Sequence, residues 1–541
     1  MGLGILFAVG LSFSAQAAPV QPDWSENAVI PVGGRANPYG FGSADLDRAI
    51  QNGKHHALEY PVETTAALAP YGPLKKVTSG RLAGLGGIRS FDDLTAWLGL
   101  GRYPTQASQK GIATTSPYFV PVSVTAKTEN LRMGVTLIQR RFSSGTAVGM
   151  TMSCASCHAT ELFGRPVLGL TNRFPRSNDF FRLGKVAVRA TSPGLFKSVA
   201  AATPAEVDLF KELRAATLKI EAKKPQALGL DTSLAHVALS LSRRLPRPDF
   251  EALRTEVADS KPAPWFTLKY KTRWLLDGSV VSGNPILTNF IWNEIGRGSD
   301  VADISDWIDR NEVTIQEMTA AVFSTESPRF TDFFPKDQIR LDQAKAGEGI
   351  FNQACAGCHG TYVKAWNRPE SPDSLETTEV LYPNRTPVRD VGTDAHRREG
   401  MKSLAARLNG LDLSKKHGIR IQPQKGYVPP PLVGIWARWP YFHNNSVPNL
   451  CALLTAAKNR PLTYWAGPAN DPAKDFDKDC NGYPTGTQTP AQWKTRAEFF
   501  FDTRKTGLGN FGHDEGIVSR GGKDRFSAVE KSQLIQFLQT L

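Results

Sequence analysis

After its amino terminus the sequence has no long apolar run. Nothing there reaches the roughly 18 consecutive apolar residues a membrane-spanning helix needs, so no transmembrane anchor is expected once the leader described below is removed. Charge is not concentrated either. The chain carries 64 basic and 51 acidic residues, a formal charge of +13, but the basic residues are scattered, which argues against nucleic acid as a partner. Metal-ligating side chains are in short supply, with nine histidines and six methionines in 541 residues. The alternating Asp475, Asp477, Asp479 and Asn481 lack the sixth-position glycine and twelfth-position glutamate of an EF-hand; a solvated acidic loop is expected instead of a calcium site.

What is present begins with a processing signal. Gly2 to Phe13 is a short apolar run, and Ala15-Gln16-Ala17 is a small-x-small cleavage pattern. Residues 1–17 therefore read as a signal peptide, although no Lys or Arg precedes the apolar run. The mature chain is expected to be periplasmic or secreted.

The six cysteines matter by position. Residues 154–158 read Cys-Ala-Ser-Cys-His and residues 355–359 read Cys-Ala-Gly-Cys-His. Each is the C-x-x-C-H haem-attachment pattern. Two thiols three residues apart on one turn of backbone reach two vinyl groups of one porphyrin, and the next residue, His158 or His359, lies under the iron. A zinc site needs four ligands, and no nearby Cys or His pair completes either set. Two covalently bound c-type haems are the expected cofactors, held by Cys154, Cys157 and His158 and by Cys355, Cys358 and His359. Cys451 and Cys480 are left over; an oxidising compartment would let them pair.

Around the second motif, Asp342 to Asn352 has helical spacing, with Gly347 and Phe351 one turn apart. Ser527 and Glu530 form a capping-box pattern ahead of the apolar face Val529, Leu534, Phe537, Leu538 and Leu541. A small residue beneath an aromatic lets those two helices cross closely. The first motif differs. Val135 to Phe142 and Thr146 to Met152 read as strands about a Ser143-Ser144-Gly145 turn, so Cys154 follows a hairpin. Arg165, Arg173 and Arg176 follow His158 as candidates for pairing with haem propionates. Further helices are predicted at Pro204–Lys223, Leu230–Arg243 and Thr314–Phe323, and an irregular loop at 360–395.

The sixth position of each iron decides between carrying electrons and doing chemistry. For the second haem the choice is His513, in a glycine-rich stretch before the terminal helix, with His443 and Met401 as alternatives. For the first haem only His236 and Met318 are available between residues 159 and 340, and an open sixth site is expected.

The sequence resembles the bacterial dihaem cytochrome c peroxidase superfamily, and its layout is most similar to the dihaem rubber oxygenases within it. The stretches that carry this are Gly426 to Arg438, its continuation Trp439 to Leu450, and the Gly-Asn-x-Gly-His run ending at His513. The resemblance implies a histidine near the carboxyl end as distal ligand of the second haem. It also implies an aromatic residue on the open side of the first haem, which Trp265 matches as the candidate catalytic side chain. No methionine follows His443, where the peroxidases place one for their electron-transfer haem, and the chain is shorter than the oxygenases.

The expected fold is mainly α, with two cytochrome c-like haem domains, long loops and minor β structure. An N-terminal extension (18–130) would precede a first haem domain (131–340) and a second (341–541). The expected function is haem-mediated electron transfer. One form is an oxidoreductase activating peroxide or dioxygen at haem 1, with a small redox protein as electron donor or acceptor; the other is a plain carrier. The aromatic cluster Trp436, Trp439 and Tyr441 reads as core packing.

Overall fold

A computed structural model describes residues 20–59, 66–79, 87–114, 116–245 and 251–541. The expected signal peptide lies outside the described residues. The chain is mainly helical, with short two- and three-stranded sheets. Among the described residues no helix is long and apolar enough to cross a membrane.

The hairpin before the first motif forms as read. Val135–Phe142 pairs antiparallel with Gly145–Met152, from Val135 opposite Met152 to Phe142 opposite Gly145. The predicted helices appear as Pro204–Lys219, Ser233–Ser242 and Glu312–Phe323. The first stops four residues early, at Lys219, and opens on a capping box between Thr203 and Glu206.

The second motif sits at the end of the Leu341–Ala354 helix, which packs on the carboxyl-terminal helix Ala528–Leu538. The Ser527–Glu530 capping box starts the latter as expected. Gly347 makes the crossing possible: a Cβ there would collide with the main-chain carbonyl of Gln533. One turn on, Phe351 meets Phe537 with ring centroids 5.1 Å apart.

The N-terminal stretch packs against later parts of the chain. Its Ser43–Leu58 helix lies along Glu312–Phe323, with Gly53 against the Glu317 carbonyl, and its Ala69–Pro70 strand adds to the hairpin. The buried face of this helix mixes small residues, Ala49, Gly53 and Ala57, with Ile50 and Leu58. Residues 360–395 are not wholly irregular, since Thr361–Lys364 pairs with Thr377–Leu381. And the second half of the chain returns to the first. The His396–Asn409 helix puts Met401, Leu404 and Leu408 into the core around Ser233–Ser242 and Pro285–Gly296, and Arg420–Ile421 pairs with Val280–Ser282. The two hydrophobic cores therefore share chain segments across residue 340.

Gly347 and Gly349 give opposite tests of the helix crossing. Gly347→Ala is expected to destabilise by about 1–3 kcal/mol through overpacking. Gly349→Ala, exposed with nothing near its Cβ, is expected to stabilise by about 0.5–1 kcal/mol. Urea denaturation of both variants measures the difference.

Candidate functional site

The second motif is held by a run of prolines. Pro429, Pro430 and Pro431 have no N–H to offer and leave their carbonyls free for side chains. Three different side chains use them in turn. The Tyr382 hydroxyl donates to Pro429 at 2.6 Å, His359 Nδ1 meets Pro430 at 2.8 Å, and Arg438 Nη1 donates to Pro431 at 2.8 Å. A carbonyl partner fixes the proton of His359 on Nδ1 and leaves Nε2 with a free lone pair. Tyr362 locks the same place: its hydroxyl donates to the His359 carbonyl at 3.0 Å and accepts from the Leu432 N–H.

His513 faces His359. Their ring centroids are 6.3 Å apart with planes at 56°. Two imidazoles that meet one metal from opposite sides, at about 2.0 Å per bond, have centroids about 6 Å apart, so the pair fits an iron between them. His513 has φ +49°, and the preceding Gly512 has φ +83° with its α-carbon against the 392–393 backbone. The loop is clamped from two directions. Arg460 Nη1 donates to the carbonyls of Asn510 at 2.6 Å and Gly512 at 2.8 Å, and Asn444 Nδ2 donates to those of Gly507 and Gly509. Neither clamp was singled out from the sequence, because each acts on main-chain carbonyls and leaves no spacing pattern.

The alternatives for this position lie elsewhere. Met401 is fully buried in the other core, among Leu404, Leu408 and their neighbours. His443 stacks on Tyr427 at 4.1 Å and 16°, with its Nε2 buried and unpartnered.

The first motif follows the hairpin directly. Cys154 caps the Ala155–His158 turn, and Gly134 (φ +94°) lets the chain pass against Ser156. Asn172 Nδ2 ties the turn down through the Ser156 carbonyl at 2.7 Å, and the Gly169 N–H donates to His158 O at 2.7 Å. The Ala263 carbonyl is the backbone acceptor that His158 Nδ1 faces, although the contact falls short of a formed hydrogen bond. In both sites the acceptor residue precedes a proline.

Trp265 lies beside the first motif. Its ring centroid is 5.4 Å from that of His158, tilted by 33°, so the two side chains pack against each other.

A cavity of about 230 Å³ adjoins Cys154, Cys157 and His158, and both His236 and Met318 line it. His236 Nε2 is buried without a hydrogen-bond partner, and burial pushes its pKa down to about 4. The thiols are half-buried, and desolvation pushes Cys154 and Cys157 up to about 12 and Cys355 up to about 11. Thiol–disulfide exchange wants the opposite shift, so the first motif is not set up as a redox dithiol. Half-buried thiols beside an imidazole with a free Nε2 fit a covalently held porphyrin.

Other expected residues resolve simply. Arg165 donates to the Asp332 carbonyl at 2.6 Å, and Arg176 pairs with Glu498 at 3.3 Å; only Arg173 is buried. Cys451 and Cys480 form a disulfide. Asp475 and Asp477 spend carboxylate oxygens on backbone N–H groups of their own loop. Among the described residues no group of three or more His, Cys, Asp or Glu is arranged to hold a metal ion. Trp436 and Trp439 pack with Phe330, Phe333, Phe334 and Phe476.

Residues 426–466, which contain the proline run and the Arg438 to His443 segment, match the family described as "RoxA-like, cytochrome c-like". Two relatives come from Sinorhizobium fredii (strain NBRC 101917 / NGR234). The uncharacterised protein y4iJ is 35% identical over 172 residues, covering 31% of this chain and 24% of the relative. The uncharacterised protein y4iM is 28% identical over 243 residues, covering 38% of this chain and 50% of the relative. The chain thus spans a quarter to a half of the length of these curated relatives. The family match hints at a redox role.

Tyr362→Phe keeps the ring and strips the hydroxyl from two buried main-chain groups. A loss of about 1–3 kcal/mol is expected, measured by chemical denaturation. Tyr382→Phe, which frees only one carbonyl, is expected to cost less.

Proposed function

We propose that the chain is an exported dihaem c-type cytochrome and an oxidoreductase, with peroxide or dioxygen bound at haem 1 and electrons passed through haem 2. Cys154, Cys157 and His158 would hold haem 1; Cys355, Cys358 and His359 would hold haem 2, with His513 as its second axial ligand. Each cysteine thiol adds across one vinyl group of the porphyrin. Bound haem iron supplies one-electron chemistry and, where a sixth position is open, a seat for a small oxidant.

The observation that carries the reading is the His359–His513 pair, facing at 6.3 Å with His359 Nδ1 already engaged. A site closed on both sides suits electron transfer. The first site has a cavity beside its histidine instead. The chain's own residues divide the remaining work. Trp265 backs His158, the Pro430 carbonyl orients His359, and Arg460 keeps the His513 loop in place. His236, lining the same cavity, favours the second reading, a plain electron carrier with both irons six-coordinate.

The test is the visible spectrum of the dithionite-reduced holoprotein before and after carbon monoxide. Two haems per chain are expected, with one responding. The response should vanish in Cys154→Ala/Cys157→Ala, and His513→Ala should make the remaining haem responsive. If neither haem of the wild type responds, the carrier replaces the enzyme, and His236→Ala should then open haem 1.

A further inference from the structure

Cations gather where the two sites adjoin: Arg173, Lys271 and Arg438 are buried, and Lys261 is half-buried. Lys261 lines the cavity of the first site. Its Nζ donates to the carbonyls of Arg438 at 3.1 Å and Pro440 at 2.6 Å. Arg438, in turn, holds the Pro431 carbonyl, next to the one that orients His359. Arg173 lies 3.9 Å over the Trp439 ring and gives Nε and Nη2 to the carbonyls of Trp439 and Ala437; its Nη1 is buried without a partner. Lys271 is also buried. One chain segment, Ala437 to Pro440, thus carries Arg438 and accepts from both Lys261 and Arg173.

No carboxylate balances them. Among the described residues none of the four forms an ion pair with Asp or Glu. The charges that act on Lys261 are Arg438 and Arg173, and the one that acts on Lys271 is Arg438. The other groups whose charge acts on Arg438 and Arg173 are tyrosines. Burial lowers the pKa of all four, Lys271 to about 7, the arginines to about 10 and Lys261 well below its usual value. Arg397 is the contrast, with Asp277 at 3.8 Å. Buried cations are expensive unless an anion joins them. His443 adds a neutral donor at the same place: it feels the charges of Lys261 and Arg397, and its carbonyl accepts from the Lys261 N–H at 2.8 Å.

We propose that Lys261 and Arg438, flanked by Arg173 and Lys271, form one shared carboxylate seat that takes the propionates of both haems, so that the same charges set both reduction potentials. This rests on the dihaem reading. Arginine suits two-point carboxylate binding and lysine supplies a point charge. The seat also explains why Arg173 is buried while Arg165 and Arg176 are not.

The test uses the holoprotein with Lys261→Gln, Arg438→Gln and, as a surface control, Arg165→Gln. Haem content per chain is read by mass spectrometry, and both reduction potentials by spectroelectrochemical titration. With two haems attached, each seat variant is expected to lower both potentials. The expected size is about a tenfold change in the ferric-to-ferrous ratio at fixed potential, about 59 mV for a one-electron couple. Lys261→Arg should restore them, which a merely structural lysine would not require, and Arg165→Gln should leave them unchanged. Lys261→Gln carries the test alone if Arg438→Gln does not fold. Two attached haems with unmoved potentials overturn the seat, and movement of only one overturns its being shared. A wild-type chain without covalent haem overturns the dihaem reading itself, a result the haem count separates from the others.

Discussion

The close crossing of two helices nearly two hundred residues apart in sequence is the constraint on which the second site depends. Gly347 lets Leu341–Ala354 touch the backbone of Ala528–Leu538, and Phe351 and Phe537 fill the turn above. The first helix runs directly into Cys355, with the Cys355 N–H still bonded to Phe351 O at 2.8 Å. The second follows the loop that carries His513. Fixing one helix against the other thus fixes one imidazole relative to the other. A larger residue at Gly347 would shift the axes, and the 6.3 Å between His359 and His513 would change with them.

Residues 426–450 then link this site to the first. The proline run meets Tyr382, His359 and Arg438 on successive carbonyls, and the segment after it meets Arg173 and Lys261. Side-chain donors are matched to main-chain acceptors throughout. Such contacts cost little in chain entropy once the prolines have fixed the backbone. The stretch is also the part of the chain with a family match.

The sequence made the local features legible. Both pentapeptides, the hairpin before Cys154, the capping box at Ser527 and the helix around Gly347 depend on residues within a turn or two of each other, and all appear where spacing put them. His513 facing His359 was legible because flanking glycines and a following helix are local signs. Other features join distant segments and left no such sign. The contact of Trp265 with His158 joins residues about a hundred positions apart. Arg173 could not be separated from Arg165 and Arg176, because burial is decided by residues 437–439 far downstream. Arg460 and Asn444 act through carbonyls, which every residue has. The N-terminal helix escaped notice because its buried face carries small residues around Gly53, with only Ile50 and Leu58 as large apolar positions.

The return of residues 396–421 to the first core also bears on the order of events during synthesis. A chain emerging from its amino terminus presents Cys154 and Cys157 long before the His396–Asn409 helix and the Arg420–Ile421 strand exist. Until they arrive, the core that includes Met401, Leu404 and Ile421 lacks part of its wall. The first core is therefore completed only by the last quarter of the polypeptide, while the cavity at the first motif takes a single lining residue, Arg397, from that late segment.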